Sequence, residues 1–370
     1  MWLALLAFFY SLPPVAALLT GLRLLARGDR RGLLAVLLPL TGRHWLRLLR
    51  IAAPDDPRPL IPDRRGIALG PGGVRLEWEQ FGPDDAPALL LSHGWSLTHD
   101  TWYYQKIALS DEYRVIVWDM RGTGRSSAPA NRDYSWEALV ADLAAVFDAT
   151  DAGRHPAGCV LAGHSLGAML LPLFARQYPD RMRRVRGLAL LAGTDRPLLE
   201  SMRGREWLVP LRRLLWQPLA RLMAACPLPF GLYDWLTWQT GAVHFALMFG
   251  RHNDRGTRGQ NDLVARRCAE FSMRAAALGG LSCLDYHVRA ALSEIAVPVL
   301  LLTGDRDPNM PPETQRAMTA LLPDAELVLL PNCGHLNLLE CHAEVNARLH
   351  AFARRCLAPS PPILGEPEGT

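Results

Sequence analysis

The chain has 370 residues, about half of them apolar (49%), with 40 Lys and Arg against 36 Asp and Glu and a formal net charge of +4. That content suits one large domain with attachments. Residues 1–50 hold seven Arg and one Asp, or +6, which leaves −2 for the remainder, so residues 51–370 have no basic character that would call for a nucleic-acid partner. The seven cysteines are scattered, odd in number and free of any Cys-x-x-Cys, which argues against a disulfide framework or a zinc site and favours a reducing compartment.

Met1 to Leu22 carry no charged residue, and a helix of that length would reach about 33 Å, enough to cross a hydrocarbon layer. Pro13 and Pro14 would kink it, and Arg23, Arg27, Arg30 and Arg31 follow. No positive charge precedes the apolar stretch, which speaks against a secretory signal, and arginines after it favour a cytoplasmic side. Residues 33–50, with Leu33 to Leu38 followed by Arg43, Trp45, Arg47 and Arg50, are expected to lie along an anionic surface. Residues 1–52 therefore read as a membrane anchor or membrane-associated segment, with secretion and extra packing as alternatives, and 53–65 as a linker.

Arg65 to Leu69 and Val74 to Phe81 alternate as an opening antiparallel pair. Apolar runs at 88–92, 114–118, 158–163, 185–192, 297–302 and 326–330 then alternate with helix-like stretches, which predicts a mostly parallel twisted sheet covered on both faces. Residues 66–194 and 296–357 form the expected core. Between them, 195–295 shows only helix-like segments, around 197–224, 230–249, 258–279 and 284–294, and reads as a helical lid over the site. Among its Trp207, Trp216, Trp235, Trp238, Phe230, Phe245, Phe249, Met223, Met248 and Met273, a minority should line an apolar acyl pocket. The tail 358–370 reads as disordered.

Residues 163–167 read Gly-His-Ser-Leu-Gly between an apolar run and a helix-like stretch, a context in which small neighbours permit a strained turn that lifts the Ser165 hydroxyl clear of the sheet. A serine needs an imidazole to accept its proton. His335 is the candidate because it sits in the loop after Leu327 to Leu330; His164 reads as structural, and His342 and His350 as helix residues. The carboxylate that orients the imidazole is assigned to Asp307, after Val297 to Leu302, with Asp305 and Asp195 as rivals. The oxyanion donors are the backbone N–H groups of Leu166 and of Trp95, where Ala88 to Ser92 run into His93-Gly94-Trp95. Cys333, two residues from His335, reads as packing.

With those residues in place the chain resembles the α/β-hydrolase fold superfamily, in its serine esterase and lipase branch. His93-Gly94-Trp95 resembles the oxyanion loop of that family, Asp119 to Ser126 its Asp-x-Arg-Gly-x-Gly-x-Ser turn, and Gly163 to Gly167 its nucleophile elbow. Gly304 to Asp307 resembles the acid loop and Gly334-His335 the histidine loop. The resemblance spans roughly residues 64–356 and implies the α/β-hydrolase fold. Serine at the elbow separates the chain from relatives with aspartate there, such as haloalkane dehalogenases and soluble epoxide hydrolases. Many members carry Phe or Gly where Trp95 stands.

The expected activity is hydrolysis of carboxylic esters with an apolar acyl group, a small-molecule or lipid ester, through an acyl-enzyme on Ser165 and without cofactor or metal. Acyl transfer to another acceptor, or a perhydrolase reaction like that of cofactor-free haloperoxidases, would use the same residues. A membrane-bound binding protein without turnover is the remaining reading.

Overall fold

The computed structural model describes residues 22–29, 57–202, 209–210, 212–228 and 255–358. Most of the expected anchor, residues 53–56 of the linker, the predicted helix at 230–249 and nearly all of the tail lie outside them. So do Trp207, Phe230, Trp235, Trp238, Phe245, Met248 and Phe249. Among the described residues no helix is long and apolar enough to cross a membrane.

Eight strands form one sheet: β1 (Arg64–Gly70), β2 (Val74–Phe81), β3 (Ala88–Ser92), β4 (Arg114–Trp118), β5 (Cys159–His164), β6 (Val185–Leu191), β7 (Val299–Gly304) and β8 (Ala325–Leu330). Their order is β1-β2-β4-β3-β5-β6-β7-β8. β1 pairs with β2, and β2 with β4, in antiparallel fashion; every later pairing is parallel. This is the expected mostly parallel α/β-hydrolase sheet.

The runs Ala-Leu-Leu-Leu-Ser of β3 and Arg-Val-Ile-Val-Trp of β4 are buried at every position, as a sheet covered on both faces requires. Alternate residues feed two cores. Leu90, Ile116, Leu161, Leu188 and Leu301 pack on one face with helices α2 (Trp136–Ala149) and α3 (Leu166–Gln177). Leu89, Leu91, Val117, Val160, Leu300 and Leu302 pack on the other, beside α1 (Tyr103–Leu109) and α8 (His342–Leu357). The strand order reverses at β3 and β5, so their carboxyl ends open the crevice where sites form on such sheets.

Between β6 and β7 the described residues are helical: α4 (Gln217–Ala225), α5 (Arg258–Glu270) and α6 (Met273–Cys283), then a 3₁₀ turn at Arg289–Glu294. α5 starts on a capping box, Thr257 with Gln260, which satisfies two of its orphan amides. Helix α7 (Pro312–Thr319) joins β7 to β8.

Candidate active site

Ser165 stands between β5 and α3 with φ of 53° and ψ of −117°, a left-handed backbone that serine adopts only when its surroundings impose it. Two close approaches impose it here. A side chain at Gly163 would run into the backbone of Gly167, and one at Gly167 would come within 2.6 Å of the His93 carbonyl oxygen and closer still to that of Ser92. The Ser165 N–H donates to Leu191 O at 2.8 Å, tying the turn to β6.

The structure brings the three predicted side chains together. Ser165 Oγ lies 3.0 Å from His335 Nε2, and His335 Nδ1 lies 2.7 Å from Asp307 Oδ2. Asp307 Oδ1 accepts from the amides of Asn309 at 2.8 Å and Met310 at 3.0 Å. With an acceptor at Asp307, the imidazole carries its proton on Nδ1 and turns a lone pair on Nε2 toward the hydroxyl. Burial alone would raise the Asp307 carboxyl's pKa, but the neighbouring His335 and the two amides outweigh it and hold it below the usual value, so the carboxylate stays ionised.

Neither rival acid faces the imidazole. Asp305 accepts from the Cys333 amide at 3.3 Å. Asp195 is fully buried between Arg196 at 2.8 Å and Arg289 at 2.6 Å. His342 stacks on Tyr104 and His350 contacts Tyr113. His164, expected to be structural, sits under the base, where its Nε2–H donates to the His335 carbonyl at 2.8 Å. Burial first, and then the nearby His335, pushes its pKa down to about 3, so it braces the loop as a neutral ring.

The two expected oxyanion donors belong to segments that adjoin Ser165. Leu166 is the first residue of α3, so its N–H has no acceptor within the helix and lies at the positive end of the helix dipole. Opposite, a Cβ on Gly94 would sit 3.3 Å from Ser165 Cβ. The Gly94 carbonyl accepts from His93 Nδ1–H at 2.7 Å and from the Leu97 amide at 3.3 Å. A trans peptide is planar, so holding that oxygen aims the N–H of Trp95 the other way. His93 Nε2 accepts from Met120 N–H at 3.0 Å, and burial holds this ring's pKa down to about 4.

The Asp119 to Ser126 turn supports this loop. Asp119 accepts from the amides of His99 at 2.9 Å and Arg125 at 3.0 Å, while Arg121 reaches Asp142 through two bonds of 2.5 and 2.7 Å.

Three features escaped the sequence reading. The buried Glu340 accepts from Gly334 N–H at 2.7 Å and from Leu336 N–H at 3.0 Å, gripping the backbone on both sides of His335. Burial, above all, raises its pKa to about 7. Cys333, expected to pack as a free thiol, is instead joined to Cys341 by a disulfide that closes the same loop; a short helical turn, Asn337–Glu340, brings the two together, and a spacing of eight residues carries no signal for it. A cavity of about 320 Å³ lies beside the oxyanion loop, but neither Ser165, Asp307 nor His335 lines it. The insertion gives it Leu263, Arg267, Glu270 and Phe271, and the ion pairs Arg125–Glu79 and Arg267–Asp100 border it, so it is not the apolar pocket expected from the lid.

Comparison with known proteins agrees with the fold. The structure is similar to an esterase from Thermogutta terrifontis, with 24% identity and a TM-score of 0.65 over 80% of this chain and 100% of that one. It is also similar to a bacterial membrane phospholipase A, with 23% identity and a TM-score of 0.64 over 92% and 99%. Likeness at that identity speaks for fold alone. RutD of Variovorax paradoxus, provisionally named a carbamate hydrolase, is 29% identical over 78% of this chain and 99% of its own length. Epoxide hydrolase 3 of Xenopus tropicalis is 34% identical over 182 residues, 47% of this chain and 45% of that protein. The chain spans about half the length, or less, of its epoxide hydrolase and ABHD8 relatives. A family model, the alpha/beta hydrolase family, matches residues 89–348, and the chain belongs to that family.

Proposed function

We propose that this hydrolase-family chain is a serine hydrolase that cleaves carboxylic esters with an apolar acyl group. The observation that carries the reading is the unbroken line from the Ser165 hydroxyl through His335 to the buried Asp307, at 3.0 and 2.7 Å. Ser165 Oγ attacks the ester carbonyl as its proton passes to His335 Nε2. Asp307 stabilises the imidazolium, and the N–H groups of Trp95 and Leu166 receive the charge on the former carbonyl oxygen. The imidazolium then gives its proton to the departing alkoxide, and water, deprotonated by the same ring, releases the acid.

The reading also separates the chain's chemistry from that named for its epoxide hydrolase relatives. Serine attack on an epoxide would leave an alkyl ether, which has no carbonyl for water to attack, whereas an acyl-serine is an ester that water can open. Likeness to RutD favours a carbamate as the second substrate class, because its carbonyl offers the same tetrahedral route.

Membrane association through residues 1–50 forms part of the proposal, supported by their apolar and arginine-rich sequence. The arginines favour a cytoplasmic catalytic domain, while the Cys333–Cys341 bond favours an oxidising compartment; alkylating thiols in intact cells decides between them. Deleting residues 1–50 is expected to release activity from membranes, and unchanged fractionation would refute the anchor.

The reaction is tested with p-nitrophenyl esters of graded acyl length and a fluorophosphonate probe. Ser165→Ala is expected to lose turnover by about 10⁵-fold or more, along with all labelling, while melting normally. Equal rates for variant and parent would refute the assignment.

A further inference from the structure

Helix α6 contains two adjacent glycines, Gly279 and Gly280, inside an eleven-residue helix, where glycine is the poorest helix former short of proline. Only the first has a steric reason to be there. A Cβ on Gly279 would lie 2.7 Å from Trp95 Cε2 and closer still to Cζ2 and Cη2, whereas one on Gly280 would meet nothing within 4 Å. The indole of Trp95 is thus seated in a notch cut into α6.

Other contacts hold the ring in that notch. Trp95 Nε1–H donates to Ala276 O at 3.3 Å. Phe271 and Tyr134 meet the indole edge to face, with centroids 5.0 and 5.9 Å away. Helix α6 is itself fastened to the core, since Trp136 Nε1–H donates to Ser282 O at 2.9 Å and Ser282 Oγ–H donates to Tyr134 O at 2.7 Å. Trp95 therefore has two attachments: its peptide with Gly94 is held by His93, and its side chain is held by the insertion.

We propose that α6 sets the oxyanion hole through the Trp95 indole, with Gly279 as a positioning residue that fixes where the Trp95 N–H points. The inference rests on the reading of that N–H as an oxyanion donor. It gives the insertion a part in transition-state binding: a displacement of α6 moves a donor whose geometry matters in the tetrahedral state more than in the ground state.

The test uses the full chain and four variants: Gly279→Ala, Gly280→Ala, Trp95→Phe and the Trp95→Phe/Gly279→Ala pair. Gly279→Ala is expected to lower kcat on p-nitrophenyl esters by about tenfold to a hundredfold with KM unchanged. Inhibition by phenylboronic acid, which mimics the tetrahedral state, should weaken in parallel. Gly280→Ala should match the parent in kcat, KM and inhibition and melt no lower than it, since alanine is the better helix former. The smaller ring of Trp95→Phe makes room for the new methyl, so the pair should return to the rate of Trp95→Phe alone, an interaction that independent sites would not show. Parental kcat in Gly279→Ala, or losses that simply multiply in the pair, would overturn the proposal. If Gly279→Ala does not fold, melting temperatures decide: restored melting in the pair supports the notch, and no restoration overturns it. A parent chain that neither turns over esters nor reacts with fluorophosphonate would instead refute the ester reading, and the melting comparison would still judge the notch.

Discussion

The turn carrying Ser165 and the loop carrying His335 meet across 3.0 Å, yet they are held in different ways. At the serine, backbone packs on backbone: Gly163 and Gly167 have no space for a side chain, and the strained φ of Ser165 is the only course left to the chain. At the histidine, side chains hold the backbone: Glu340 grips two amides, the Cys333–Cys341 bond closes the span, and His164 supports a carbonyl. Steric exclusion cannot be loosened by degrees, whereas ties can be cut one at a time. A change of packing at the serine turn should therefore cost more than the loss of any single tie at the histidine loop.

After Ser165→Ala, Asp307→Asn should have the largest effect of those that leave the fold intact. It favours the wrong tautomer of His335, and kcat is expected to fall by about 10⁴-fold with little change in melting temperature. Gly167→Ala comes next, with a loss of about a hundredfold in kcat/KM and of about 1–3 kcal/mol in urea unfolding, because backbone carbonyls cannot move aside. A Gly167→Ala chain with parental rate and stability would refute the contrast.

Glu340→Gln should lower kcat by about tenfold, because an amide accepts from only one of the Gly334 and Leu336 N–H groups. The same variant sharpens the comparison through pH. The Glu340 pKa is raised from 4.5 to about 7, so its contribution to stability is complete below pH 4.5 and is lost as pH rises through 7. Between pH 5 and pH 8, the unfolding free energy of the parent should fall relative to Glu340→Gln by about 2–3 kcal/mol. No change in that difference would show that the carboxyl is not buried as described. The ionised form, which grips both amides, is the one the fold disfavours. The smallest effect is expected from dithiothreitol or Cys341→Ser, a loss of no more than about threefold in kcat, since Glu340 still spans the loop.

Ser165, Asp307 and His335 were legible because each follows directly on an apolar run, and in a parallel sheet the ends of such runs share one rim. Trp95 and Leu166, the proposed donors, follow β3 and Ser165 at the same rim. Glu340 was not, because a glutamate at the end of a short helical turn looks like any solvated residue until the loop folds back over it. The role of Gly279 depends on an indole 184 positions earlier in the chain, which no local pattern encodes. The cavity beside the oxyanion loop was not legible, because its ionic groups, Glu79 on β2 and Asp100 ahead of α1, come from elements distant from the insertion, while most of the aromatic residues expected to line an acyl pocket lie outside the described residues.

The point at which the polypeptide joins its sheet has a separate consequence. β1 begins at Arg64 and occupies one border of the order β1-β2-β4-β3-β5-β6-β7-β8, whereas Ser165 follows β5 and His335 follows β8, at the far border. Pro57, Arg58, Pro59 and Leu60, which precede β1, line the cavity beside the oxyanion loop together with Leu263 and Phe271 of the insertion, so a load arriving from residues 1–56 would meet that cavity before the ribbon of β1 and β2.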